Sequence, residues 1–230
     1  MFIVQNITTF ALEQVYIKLM SPFQSIGNIP FDLGILSSIF PETKHIREKA
    51  RRLETEGTII RLKKGLYVAS PDETGKVLNR HLLANHIYGP SYVSLQTALR
   101  HYGLIPERVH LVQSLTTKHS RSFETSVGNF IYENSNPEYF PIGVKPTTED
   151  GVTYLIATPE KALCDLINYS KGVNLRFIKD VAIYLEEDIR MDMDSLSDMD
   201  ISIFESCAPY SRKTQNIHTL IKYLKNERHL

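Results

Sequence analysis

Residues 43–70, TKHIREKARRLETEGTIIRLKKGLYVAS, leave a chain few ways to fold. Ile46, Ala50 and Leu53 recur at helical spacing, so the first half is an amphipathic helix that must bury one stripe. Thr43 is the expected N-cap and Gly57 the expected C-terminal stop. Beyond Gly57, TIIRL and LYVAS are short β-type runs on either side of Lys-Lys-Gly, which is the pattern of a hairpin. Ile59, Leu66 and Val68 are expected to anchor that hairpin to the helices.

Two further helical patterns precede this segment. In TFALEQVYIKLM, residues 9–20, Leu12, Val15, Tyr16 and Leu19 share a face until Pro22 ends the pattern. FDLGILSSIF, residues 31–40, reads as a second short helix closed by Pro41. Three helices followed by a hairpin is the layout of a winged helix-turn-helix, in which the hairpin is the wing. The expected first domain is therefore 1–75, with SPDETGK as the linker that follows.

Lys plus Arg and Asp plus Glu both number 26 in the 230 residues, and a neutral total argues against a polyanion partner. The distribution argues the other way. From Pro41 to Ala69 the bases Lys44, Arg47, Lys49, Arg51, Arg52, Arg61, Lys63 and Lys64 outnumber Glu42, Glu48, Glu54 and Glu56. From Asp180 to Glu205 acids dominate, with Arg190 the sole base, and the stretch after Arg212 is basic again. The acidic run has an ordinary reading as a solvated helix end and a second reading as a partner face.

After residue 75 the pattern changes. NRHLLANHIYG and SYVSLQTALRHYG are expected helices, the latter opened by Ser91 or Ser94 and stopped by Gly103. VHLVQSLTT, VGNFIYE and GVTYLIAT are expected strands. Thr158 as N-cap, Pro159 in the first helical position and Glu160 in the first turn make TPEKALCDLI a clear helix start. LRFIKDVAIYLEEDI, ISIFESCA and RKTQNIHTLIKYLKNE carry helical periodicity. The expected fold class is α+β: an N-terminal winged helix-turn-helix, then a second domain, 76–230, with a mixed α/β core at about 76–172 and a helical tail at about 173–230.

Little in the chain demands catalysis. No G-x-S-x-G, P-loop or dinucleotide fingerprint occurs, and no cofactor is expected. Glu42 and Lys44 have a nuclease-like Glu-x-Lys spacing but no partner carboxylate. His81 and His86 do not share a helix face and have no carboxylate or cysteine beside them, so no metal is expected. Cys164 and Cys207 are far apart in sequence, and Cys164 lies on an apolar helix as a buried thiol would. The N-terminal segment lacks the basic flank and cleavage site of a signal peptide, and no apolar run reaches membrane length. A cytoplasmic, non-enzymatic protein with no membrane partner is expected.

The string LETEGTIIRLKKGLYVAS resembles the end of the winged-helix domain of AbiEi-type antitoxins, regulators of abortive-infection toxin/antitoxin operons. PSYVSLQTALRHYGLIPERVHLVQSLTTKHSRSFETSVGNFIY followed by YLIATPEKALCDLI is similar to that family's middle domain in wording and order. The likeness covers about residues 45–170. It implies a repressor that binds inverted repeats in its own promoter, as two copies or one per half-site. It also implies a second domain that counteracts a nucleotidyltransferase-like toxin, in that family without requiring a stable complex.

The positions matching the helix and wing motif are Lys44 to Arg52 and Arg61 to Lys64. Lys49, Arg52, Lys63 and Lys64, with Arg61 beside them, are expected on phosphates. Lys44, His45, Arg47 or Arg51 are expected on base edges. In the middle domain Ser94, Arg100, Arg121, Glu124, Glu160 and Lys161 match motif positions to which the family assigns no chemistry. A rival reading is a protein-interaction module whose winged helix has lost DNA binding.

Overall fold

The computed structural model describes residues 21–106 and 111–227, and the expected first helix, 9–20, lies outside them. The chain divides into two compact units, with the boundary between Asn79 and Arg80. Its class is α+β, with two separate sheets.

In the first unit, Phe31–Asp32 forms a short strand, β1, which runs directly into helix α1, Leu33–Ile39. FDLGILSSIF is thus a strand and a helix, because the Asp32 carboxylate accepts the Ile35 amide at 2.9 Å and starts the helix one residue later. Helix α2, Ile46–Thr55, corrects the expected cap. His45, not Thr43, is the N-cap, and Lys44 precedes the helix instead of riding on it.

The C-terminal stop at Gly57 is as expected. Its φ of +77° lets the Thr58 amide reach Leu53 O at 3.0 Å and its own amide reach Glu54 O at 3.2 Å. This is a Schellman closure, which a side chain at 57 would strain. Strands β2, Ile59–Lys63, and β3, Leu66–Ala69, pair across Lys64-Gly65, and β1 adds to the other edge of β3.

The core of this unit joins Ala50 and Leu53 of α2 to Phe23, Phe31, Leu36, Ile59, Tyr67 and Ala69. Of the expected hairpin anchors, Ile59 joins this core and Val68 is fully buried, while Leu66 is only half-buried; Tyr67 and Ala69 are the β3 residues that pack into this cluster. SPDETGK is corrected as well: Pro71–Thr74 makes a one-turn helix, α3, with the Ser21 hydroxyl donating to Glu73 at 2.6 Å.

The second unit is built on one six-stranded mixed sheet. Its strands are β4 (Ser91–Val93), β5 (Leu111–Thr116), β6 (Arg121–Thr125), β7 (Gly128–Asn134), β8 (Val144–Glu149) and β9 (Val152–Ala157), ordered β6-β7-β5-β4-β9-β8. The inner pairings β4 with β9 and β5 with β7 are parallel, and the others are antiparallel. SYVSLQTALRHYG is corrected from a single helix to β4 followed by helix α5, Leu95–His101. All three residues of β4 are buried, so the strand shows no alternation for a sequence reading to find. Strands β6 and β8 were likewise missing from the sequence reading, because both lie at sheet edges and are rich in polar residues, although Asp150-Gly151 after β8 is a hairpin turn pair.

Helix α4, Arg80–Ile87, lies over β4 and β9, and helix α6, Pro159–Tyr169, lies among α5, α8 (Ile201–Cys207) and α9 (Thr214–Glu227). Residues of β4 show both coverings. The Ser91 hydroxyl donates to Ala84 O of α4 at 3.5 Å, and the adjacent Tyr92 hydroxyl donates to Asp165 of α6 at 3.1 Å. Among the described residues every element after α6 is helical, including α7 (Ile178–Ile183), which continues as a π-helical turn over Tyr184–Asp188.

The start of α6 matches its sequence signals. Thr158 accepts the Lys161 amide at 3.3 Å and Pro159 takes the first helical position. Thr158→Ala is expected to lower unfolding free energy by about 1 kcal/mol in urea titrations. No helix among the described residues is long and apolar enough to cross a membrane.

Candidate functional site

Of the nine cations expected to meet DNA, eight line two surface depressions of the first unit, and Lys63, in β2, lines neither. Arg47 and Arg51 are one turn apart on α2. With Arg61, Lys64 and the acid Glu54 they line a surface depression of about 660 Å³ between helix and hairpin. Lys44, His45, Lys49 and Arg52, with Glu48, line a second depression of about 430 Å³ around the start of α2. The helix periodicity separates them: positions 47, 51 and 54 lie on one face, and 45, 48, 49 and 52 on the next.

Ion pairing grades these cations. Arg61 Nη1 is 3.5 Å from Glu54 and Arg52 Nε is 3.5 Å from Glu56. Lys49 Nζ lies 4.5 Å from the centre of the Phe40 ring. Arg47, Arg51 and Lys64 are exposed and form no ion pair with a described residue. They are the cations most available to a second molecule. Glu42 and Lys44 are exposed ahead of α2, where nothing assembles them into a catalytic set.

Several acids of 180–205 make local hydrogen bonds, and Glu186, Glu187 and Asp188 are exposed. Asp180 accepts the amides of Arg176 at 3.1 Å and Phe177 at 2.9 Å, Asp192 accepts the Ser195 hydroxyl at 2.7 Å, and Asp200 caps α8 through the Ser202 amide at 2.9 Å. Glu205 pairs with Lys225 at 2.8 Å.

Of the middle-domain motif positions, Ser94 and Lys161 meet inside the protein around Asp165, whereas Arg121 and Glu124 are exposed. Lys161 and Asp165, one turn apart on α6, are solvent-inaccessible and their charged atoms lie 3.4 Å apart. Asp165 Oδ2 accepts the hydroxyls of Ser94 at 2.6 Å and Tyr92 at 3.1 Å, and Lys161 Nζ donates to Tyr139 O at 2.9 Å. Ser94 opens α5 in chain position, yet its hydroxyl makes no cap bond because it is committed to Asp165. Glu160 is also buried and accepts the Asp200 amide at 3.0 Å, so it ties α6 to the start of α8 as well as facing the helix N-terminus. Arg100 donates to Ile105 O at 3.4 Å, and Arg121 lies over the Phe123 ring.

Both cysteines are buried, and the tertiary structure brings them within hydrogen-bond reach of each other beside this network. Burial first, then the bond to Cys207, pushes the Cys164 thiol well up, while the same bond pulls Cys207 down. Burial also raises Tyr92 strongly, reinforced by the charge of Asp165. Lys161, Asp165, Ser94 and Tyr92 are all solvent-inaccessible, so the cluster is a buried polar network within the second unit.

A separate cluster was not visible in the sequence. His81 in the first turn of α4, His101 at the end of α5 and Glu149 at the end of β8 bring their ligand atoms within 4.8 Å of one another. The expectation that His81 has no carboxylate beside it holds along the chain and fails in space. Burial, followed by the charge of His101, lowers His81 to about 4, so its ring is neutral near pH 7. No signal short of the fold could have joined positions 81, 101 and 149.

No protein-family model matches this chain, and no curated protein matches it significantly.

Proposed function

We propose that this chain is a DNA-binding transcriptional regulator of the antitoxin type. Its N-terminal winged helix-turn-helix would read operator DNA, and its second domain would counteract a nucleotidyltransferase-like toxin made from the same operon. The observation that carries the DNA reading is the convergence of Arg47 and Arg51 from α2 with Arg61 and Lys64 from the hairpin on one open depression. Arginines on an exposed helix face suit guanine edges, and cations at a hairpin tip suit the adjoining phosphates. Lys44, His45, Lys49, Arg52 and Lys63 extend the positive surface on either side. The antitoxin reading rests on the resemblance carried by SYVSLQTALRHYGLIPERV and TPEKALCDL.

Gel shifts of the full chain on its own upstream DNA, across 50–200 mM salt, test this reading. With about six phosphate contacts, log K falls against log salt with a slope of about −5, and Lys63→Ala/Lys64→Ala flattens that slope by about 2. An unchanged slope in the double variant removes the hairpin from the DNA.

One observation favours a protein-interaction module instead: Glu54 and Glu56 already compensate Arg61 and Arg52. Capture of the neighbouring gene product without a shift of any upstream fragment would favour that second reading.

A further inference from the structure

We propose that His81, His101 and Glu149 form a site for a divalent transition metal of the zinc type, a site independent of the DNA surface. Three elements deliver the ligands. His81 stands in the first turn of α4, His101 is the last residue of α5, and Glu149 is the last residue of β8.

The β8–β9 connection holds the carboxylate in place. Asp150 (φ +52°) and Gly151 (φ +75°) make a two-residue turn with both φ positive, the form that matches strand twist. Glu149 is thereby set opposite Val152 in the hairpin register. The Tyr154 hydroxyl donates to Glu149 Oε2 at 2.7 Å, the kind of outer hydrogen bond that orients a ligating carboxylate.

The imidazoles are set in the same way. Their ring centres are 5.6 Å apart at an interplanar angle of 82°, so one ring presents its edge to the other. Tyr154 supports His81 at 5.1 Å and Tyr102 supports His101 at 5.0 Å. Metal–ligand bonds of about 2.0–2.2 Å in a tetrahedron place ligand atoms about 3.3–3.6 Å apart. The observed spread of up to 4.8 Å would close to that distance by small side-chain rotations of the three ligands.

Two imidazoles and one carboxylate are the donor set of open, three-ligand zinc sites, in which water completes the shell. Both rings are half-buried and the carboxylate is exposed, so an ion can enter from solvent. The bound ion would tie α4, α5 and the β8–β9 hairpin together, three segments that meet only through tertiary packing.

Calorimetric titration of the metal-free full chain with Zn²⁺ tests the site, with Co²⁺ as a spectroscopic probe. The expected result is one metal per chain at micromolar affinity or tighter, a raised thermal midpoint, and the visible absorption of Co²⁺ bound by nitrogen and oxygen. His81→Ala/His101→Ala should abolish binding. Glu149→Gln, at an exposed position where folding is not at stake, should weaken it by more than about tenfold, and Tyr154→Phe by about tenfold. Absence of binding by the wild type overturns the proposal, as does affinity unchanged in both Glu149→Gln and the double-histidine variant. Upstream-DNA binding by the Glu149→Gln protein should equal that of the wild type, which keeps failure of this site distinct from failure of the DNA reading.

Discussion

Asp165→Ala is expected to lower the unfolding free energy by about 3–5 kcal/mol, because it leaves the Lys161 ammonium buried without its counter-charge. Both side chains are solvent-inaccessible, and water cannot replace the lost partner. The hydroxyls of Ser94 and Tyr92 would lose their acceptor in the same step. For a protein of this size each kcal/mol is worth about 2–4 °C, so the thermal midpoint should fall by about 10 °C.

The paired replacement Lys161→Met/Asp165→Leu should recover most of that loss, since a buried ion pair is rarely more stable than the apolar side chains that fill its space. Urea denaturation of the three proteins decides the matter. A loss under about 1 kcal/mol for Asp165→Ala would show that the pair behaves like an exposed one and that this polar core is not what holds α6 to β4 and α5.

Arg47→Ala/Arg51→Ala/Lys64→Ala should weaken binding to upstream DNA by about a hundredfold to ten-thousandfold at constant salt. Two of these side chains come from α2 and one from the hairpin tip, so the variant removes both arms of the depression at once. All three are exposed, and their loss should leave thermal stability within about 0.5 kcal/mol. A control at Arg52 and Arg61, the cations already paired to Glu56 and Glu54, should lose less. Equal affinity in the triple variant would move the nucleic-acid surface elsewhere or eliminate it.

How much of this was legible in the sequence differs by element. The hairpin, the amphipathic α2 and the Thr158-Pro159 helix start were read from local rules, since spacing, cap and glycine stop all act within a few residues. Strand β4 was read as helix because burial on both faces erases the period of two. Ile59 and Val68 were read correctly as buried hairpin residues, whereas Leu66 is only half-buried and Tyr67 and Ala69, not named from the sequence, pack into the core. The charge of α2 was read correctly as exposed. Its division into two faces required the helix to start at Ile46, with His45 as the cap.

By itself, the sequence determined part of the local vocabulary of this protein: the helix stop at Gly57, the helix start at Thr158-Pro159, where the hairpin turns, and which segment is basic. Those properties depend on backbone conformation and side-chain period over short stretches. Only the tertiary structure decided which distant groups share a space. It brought Lys161 and Asp165 under Ser94 and Tyr92, set Cys164 beside Cys207, and drew His81, His101 and Glu149 within 4.8 Å. Such proximity comes from packing helices against a sheet whose strand order departs from chain order, and no local pattern encodes it.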